Sequence, residues 1–243
     1  MKGPRTQIPL PDFSKLDWFR DPVLQGIWDF VERAGDEARI VGGAVRDNVL
    51  GRRVSDIDFA TPVPPENLLA QSGHSDVLVK PTGVDQGTVT LISHGKPYQV
   101  TTLRRDIETD GRHAKVVFGN DWREDARRRD FTINALYLSR DGSLFDPLDG
   151  LEDIENKVLR FIGDPRARIR EDYLRILRFF RFHAELGWEQ FNEEGLRAVT
   201  SEKAGLAFLS RERVTWELMK LFAAPEAGSV VRSMEEADLM TAI

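Results

Sequence analysis

Two aspartates one residue apart, Asp56 and Asp58, are the residues of this 243-residue sequence best placed to do chemistry. On an extended strand, residues i and i+2 face the same side. Both carboxylates would then point one way, while Ile57 and Phe59 turn to the core. Two like charges at that spacing raise the cost of ionising each other. A divalent cation removes the repulsion, and hard oxygen ligands suit Mg2+, which takes one or two carboxylates together with substrate phosphates. The pair equally suits a solvated strand end carrying two surface acids. Just upstream, "ARIVGG" reads as a strand that ends in Gly42-Gly43 and opens a short helix. Such a turn brings backbone amides close to an anion, and the helix N-terminus adds roughly half a positive charge. Arg46, about one turn inside, reaches toward the same place, with Asp47 able to pin Arg46 or the turn. By itself the glycine pair is also an ordinary tight turn. Joined to the two acids, it favours metal-dependent phosphoryl transfer to an attacking hydroxyl.

Two arginine-rich segments follow. In "RRRDFTINALYL" the donors come first and apolar residues after. Read as a helix, it sets Arg129, Asp130 and Asn134 at i, i+1 and i+5, with Arg suited to a phosphate and Asp or Asn to a ribose hydroxyl. A capped helix with ion pairs explains the same residues. In "REDYLRILRFFRF" charges fall at Asp172, Arg175, Arg178 and Arg181, and nearly every position between is aliphatic or aromatic. Steps of three drift slowly around a helix, so Asp172, Arg175 and Arg178 form a leaning stripe, with Arg181 further round. An internal Asp–Arg ladder is one reading, since buried charges must be paired. Base recognition is the other. Asp172 only accepts hydrogen bonds and Arg175 only donates them. Cytosine and adenine each present an amino donor beside a ring-nitrogen acceptor, which matches the pair. Uracil and guanine present the reverse, which would leave charged groups unpaired, so the pair would admit CTP and ATP and reject UTP and GTP.

The elements that must position these residues are legible in outline. Residues 1–20 carry prolines at 4, 9 and 11 and read as an arm. "DPVLQGIWDFVERAG" has helical spacing, Asp21 as N-cap, Pro22 in the first turn and Gly35 as stop. "AVRDNVLG" reads as a short helix, "VSDIDFAT" as a strand and "TPVPPENLLAQSG" as a helix restarted after prolines. "DVLVKPTG", "GTVTLISHG" and "KPYQVTTLR" read as three β segments. Residues 104–118 read as a polar loop, Asp121 as the cap of the next helix, and "RDGSLFDPLDG" as a hairpin or connector. From Arg166 onward every segment looks helical. This predicts an arm (1–20), an α/β head (21–150), a helical part (151–225) and the start of a further helical body (226–243) that looks cut short.

Composition bounds the function classes. Hydrophobic residues make up 41% of the chain, which argues against disorder, and no apolar run approaches the length of a membrane span. The N-terminus has too many prolines and acids for a signal or transit peptide. Cysteine is absent, which rules out disulfides and thiolate metal sites and fits a reducing, cytoplasmic setting. The net charge of −6 does not announce a polyanion partner, yet Arg127–Arg129 adjoin and residues 160–181 contain Arg but no Lys. Arginine favours planar, bidentate contacts to phosphates and bases.

Taken in order, "VGGAVRD", "DIDFAT", "RRDFTINAL", "FDPLDGLEDI", "REDYLRILRFFRF" and "SRERVTWEL" resemble class II tRNA nucleotidyltransferases, the CCA-adding enzymes, and the related bacterial poly(A) polymerases. The resemblance covers roughly residues 24–222. It implies an α+β fold, with a polymerase-β-type nucleotidyltransferase head of mixed sheet and helices, then an all-helical neck. It further implies addition of CMP and AMP from CTP and ATP to the tRNA 3′ end, with Mg2+ on Asp56 and Asp58. Gly43, Arg46 and Arg129 would bind the triphosphate, with Asp130 near the sugar. Asp172 and Arg175 would act as a protein template, with Arg178 and Arg181 nearby, and Glu212, Arg213 and Glu217 would brace the neck helices. "RRDIETDGRHAKV", with Arg105, Asp110, Arg112 and His113, resembles the flexible loop needed for the terminal A. Poly(A) addition to general RNA and an inactive nucleotide-binding fragment are the alternatives. Gln99 stands where relatives commonly have Glu, and the sequence reads as stopping ahead of the family's helical body and tail domains.

Overall fold

The structure is a computed structural model and describes residues 9–73, 75–109 and 114–243. It contains two compact units. The first takes residues up to 108, 114–129 and 133–151, and the second takes 130–132 and 152–243.

The first unit is organised by a seven-stranded mixed sheet in the order β3-β4-β5-β2-β1-β8-β9. Its strands are β1 (Arg39–Val41), β2 (Asp58–Thr61), β3 (Leu78–Gly83), β4 (Thr88–Ser93), β5 (Lys96–Thr102), β8 (Tyr137–Ser139) and β9 (Leu144–Phe145). β2 and β5 run parallel, and the other neighbouring pairs are antiparallel. Alternation drives the meander: Val89, Leu91, Ser93, Tyr98, Val100 and Thr102 are buried while the strand residues between them are not. β6 (Arg104–Thr109) and β7 (Ala114–Phe118) form a separate two-stranded sheet, so the expected polar loop is for the most part a strand pair. Its few apolar residues hid the pairing in the sequence. Asp110, Arg112 and His113 lie outside the described residues.

Helices α1 (Pro22–Arg33), α2 (Gly43–Val49), α3 (Pro65–Ala70) and α4 (Trp122–Arg127) accompany the sheet, and α5 (Gly150–Glu155) follows. α1 starts as expected, with the Asp21 carboxylate accepting from the Val23 amide at 2.9 Å. Its Trp28 is fully buried, donates Nε1–H to the Ala38 carbonyl at 2.9 Å, and meets Phe19 and Phe59 edge to face. The presumed arm is therefore part of the core from Phe13 onward, since Phe13 and Phe19 are both buried.

The second unit is helical: α6 (Pro165–Glu171), α7 (Leu174–Leu186), α8 (Glu193–Ser201), α9 (Arg211–Phe222) and α10 (Ala227–Glu236). α7 is its axis and is buried on most sides, as its aromatic content requires. Phe131 and Phe161 join it, with Phe161 stacked on Phe179 at 5.5 Å between ring centroids. Gly187, in the left-handed region at φ +66°, ends α7 by donating to the His183 carbonyl at 2.9 Å. Residues 227–236 fall in this unit. Among the described residues, no helix is long and apolar enough to cross a membrane.

Two positions make the packing of this unit testable. A Cβ on Gly205 would lie 1.9 Å from the Tyr173 ring, a position only glycine allows. Gly205→Ala should lower stability by about 1–3 kcal/mol in urea unfolding, through overpacking against Tyr173; unchanged stability would contradict this packing. His183 is fully buried against Phe179 and Phe191. Burial lowers its pKa to about 4, against a weak opposing contact to the Trp188 carbonyl. The unfolded chain takes up this proton near its ordinary pKa and the folded chain does not, so stability is lost as pH falls from about 6.5 toward 4. Replacing the group by His183→Phe should flatten the pH dependence by up to about 3 kcal/mol over that window. Parallel pH profiles for the two proteins would contradict the assignment.

Candidate active site

In the first unit the chemistry gathers at one end of β2. The strand begins at Asp58, and Asp56 precedes it outside the sheet. The expectation of both acids on one strand face is therefore corrected: β1 pairs only with residues 58–60 of the segment, and Ile57 is half-buried. Both aspartates are exposed and electrostatically coupled. Burial by surrounding protein raises the Asp58 carboxyl above its ordinary range, Arg129 pulls it down, and Asp56 pushes it up.

Register fixes what else shares the face. Asp58 is the partner of Gln99 on β5 and of Val41 on β1, and Val41 is the partner of Tyr137 on β8. Paired residues project to the same side of a sheet, so Gln99, Asp58, Val41 and Tyr137 form one row. Gln99 is exposed beside Asp58, so the strand neighbour of the acid is an amide. At the other end of the row the Tyr137 hydroxyl and the Asp125 carboxylate hold Arg129. Nε and Nη2 of Arg129 donate to Asp125 at 3.2 and 3.1 Å, and Nε also approaches the Tyr137 hydroxyl at 3.1 Å. Arg129 lies beyond the end of α4, and Asn134 falls in a short 3-10 turn. Their expected common helix does not exist.

Gly42 has φ +76° and ψ −124°, a conformation closed to residues with a side chain. Its amide is spent on the Leu136 carbonyl at 3.1 Å, so of the two glycines Gly43 offers the first helical amide. Arg46 is buried and doubly held. Nε donates to Asp47 at 2.9 Å, as the sequence suggested, and Nη1 donates to the Asn134 side chain at 2.6 Å. The Asn134 side-chain oxygen thus receives Arg46.

The second unit holds the other candidates. Asp130 is buried, accepts from the Phe131 amide at 2.8 Å and pairs with Arg178 Nε at 2.8 Å. Asp172 is not on the helix of Arg175. It sits in extended conformation between α6 and α7, where Oδ1 accepts from the Leu174 amide at 3.1 Å and Oδ2 from Arg213 Nη2 at 2.7 Å. Arg175 donates Nη1 to the Arg168 carbonyl and to Glu171, both at 2.7 Å. The expected stripe is therefore two arginines of α7 and an acid ahead of it, each with its own partners. Arg181 pairs with buried Glu217 and with Glu185, inside the unit. Arg213 and Glu217 brace the helices as the resemblance implied. Arg105 is exposed on β6. Sequence reasoning missed Asp125, Tyr137 and Glu171. The i, i+4 spacing of Asp125 to Arg129 and of Glu171 to Arg175 could have revealed two of them.

Among the described residues, no group of three or more His, Cys, Asp or Glu is clustered to hold a metal. Two exposed, mutually repelling carboxylates with hard oxygen atoms do fit Mg2+, which completes its shell with water and phosphate.

The profile of the "Poly A polymerase head domain" matches residues 38–160. The chain is 41% identical over 236 residues to "CCA tRNA nucleotidyltransferase 1, mitochondrial" of Danio rerio, covering 96% of this chain and 54% of that protein. Among solved structures it resembles the Bacillus stearothermophilus CCA-adding enzyme in complex with CTP, with TM-score 0.80, 36% identity, and 90% of this chain and 53% of that one covered. It also resembles a tRNA nucleotidyltransferase complexed with a primer tRNA and an incoming ATP analog, with TM-score 0.73, 27% identity, and 88% and 61% covered. The chain spans about half the length of the curated relatives it matches. It belongs to the poly A polymerase head-domain family and, within it, stands among the relatives of the CCA-adding enzymes.

Proposed function

We propose that the chain carries the catalytic and base-reading parts of a template-independent nucleotidyltransferase that adds CMP and AMP to the 3′ end of tRNA. The observation that carries the reading is the row on the sheet. An exposed Asp58, coupled to Asp56, shares its face with an arginine anchored by Asp125 and Tyr137. That combination of acids and fixed cations suits a triphosphate undergoing attack by a hydroxyl.

Asp56 and Asp58 would hold Mg2+, which when bound lowers the pKa of an attacking 3′ hydroxyl and neutralises charge on the leaving pyrophosphate. Arg129, Arg46 and the Gly43 amide bind and orient the phosphates. Arg46 enters that role already fixed by Asp47 and Asn134, so little side-chain freedom is lost on binding. In the helical unit Asp172 accepts from the amino group of cytosine or adenine, and Arg175 donates to the adjacent ring nitrogen. Glu171 and Arg213 hold these two groups in line. Arg178 steadies Asp130, the candidate for the sugar hydroxyl. Arg181 acts as a brace behind them. The relatives named for mitochondrial and bacterial enzymes support an RNA-processing role without fixing a compartment.

The profile named for poly(A) polymerases supports a second reading, tail addition to general RNA, which product length separates from addition of a few nucleotides. The test uses the 243-residue chain with tRNA lacking its terminal nucleotides, Mg2+ and each labelled nucleotide in turn. Short additions from CTP and ATP are expected, and Asp58→Asn should slow them by about 100-fold or more. Equal use of UTP and GTP, or full activity in Asp58→Asn, would overturn the reading.

A further inference from the structure

We propose that Asp125 is the positioning residue of this site: it aims Arg129 at the glycine turn, with Tyr137 as its auxiliary. The inference rests on the reading in which Arg129 binds the triphosphate.

Asp125 is almost completely buried in α4, a poor place for a carboxylate unless every lone pair is used. Here they are used. Oδ1 accepts from Arg128 Nε at 2.8 Å and Nη2 at 2.6 Å. Oδ2 accepts from Arg129 Nε and Nη2 and from the Tyr137 hydroxyl at 2.8 Å. Burial would raise the Asp125 carboxyl, but Arg129, Arg128 and Tyr137 hold it down to about 2, so it stays ionised at any working pH.

A guanidinium is a planar fork, and engaging one edge fixes the direction of the other. Asp125 takes the Nε–Nη2 edge of Arg129. The remaining nitrogen, Nη1, then lies 3.9 Å from where a Cβ of Gly42 would stand. It therefore points at the turn that opens α2, beside Arg46. The guanidinium carbon sits 5.3 Å from the centroid of the Tyr137 ring, which restricts its swing. Tyr137 is itself fixed by the sheet, as the partner of Val41, and by an edge contact to Trp122 at 5.4 Å. The direction of Arg129 is thus transmitted from β8 through two side chains that need not touch a nucleotide.

A residue that only holds the fold together would, on replacement, weaken all ligands alike. One that aims a phosphate-binding cation weakens ligands in proportion to their phosphates. The measurement is the ratio of CTP to CMP affinity for Asp125→Asn, Asp125→Glu, Tyr137→Phe and Arg129→Ala, by calorimetry with Mg2+. Asp125→Asn should lower CTP affinity by about 10-fold or more and leave CMP within about 2-fold. Tyr137→Phe should do the same on a smaller scale, about 3-fold, and Asp125→Glu should recover part of the loss. If Arg129→Ala loses CTP affinity while Asp125→Asn and Tyr137→Phe keep the parent ratio, the positioning role is overturned. Equal weakening of CTP and CMP overturns it as well. If Arg129→Ala itself leaves CTP affinity unchanged, the triphosphate reading of Arg129 falls, and the positioning role with it. Should Asp125→Asn not fold, Tyr137→Phe decides by the same ratio.

Discussion

A guanidinium cannot shed its proton to enter a protein interior, so each buried arginine needs an acid or an amide oxygen to receive it. This constraint shapes both units. Buried Arg46 is held by Asp47 and Asn134 and buried Arg181 by Glu217, and the half-buried Arg129 and Arg178 are held by Asp125 and Asp130. Removing one partner leaves an uncompensated charge, which costs about 3–5 kcal/mol, whereas the intact pairs contribute little net stability. Their value lies in direction. A fixed cation meets a phosphate without first being ordered, and that is the condition for electrostatic stabilisation of developing charge.

The consequence for chemistry is a division of labour between neighbouring residues. Arg129 is tied to the sheet unit through Asp125 and Tyr137, while Asp130, the next residue, is tied to the helical unit through Arg178. The segment from Asp130 to Thr132 is secured there again: Phe131 bridges Phe161, the Thr132 amide donates to the Arg160 carbonyl at 3.1 Å, and its hydroxyl pairs with Asp153. One short motif thus holds an arginine braced from β8 and an aspartate braced from α7. Gln99 marks the other departure from a uniform acidic site. A neutral amide beside Asp58 removes one source of like-charge repulsion, leaving Asp56 and Asp58 as the carboxylate pair.

How much of this was legible in the sequence depended on the range of the interaction. Caps and turns were readable because they are local: Asp21 and Asp121 cap their helices, and Gly42 opens α2. The strands 78–83, 88–93 and 96–102 were readable from alternation. Places where a side chain outside the segment decides the backbone were not. α4 stops at Arg127 with Arg128 as its C-cap, and Asn134 falls in a separate 3-10 turn, so the helical spacing assumed for Arg129 and Asn134 failed. Asp172 leaves the helix because its carboxylate caps the Leu174 amide and reaches Arg213, 41 residues away. Hydrophobic period could not distinguish an acid on α7 from one just ahead of it. Asp56 and Asp58 do not share a strand as expected, because the sheet pairing that ends at Asp58 is set by β1 and β5.

The base-reading role requires that charge placement select the nucleotide. The direct measurement is equilibrium binding of CTP, ATP, UTP and GTP to the chain with Mg2+, free of any RNA. CTP and ATP should bind tighter than UTP and GTP by about 10-fold or more, since the latter two would meet Asp172 and Arg175 with mismatched groups. Equal affinity for all four would mean that these side chains only hold helices together, and the base-reading role would be wrong.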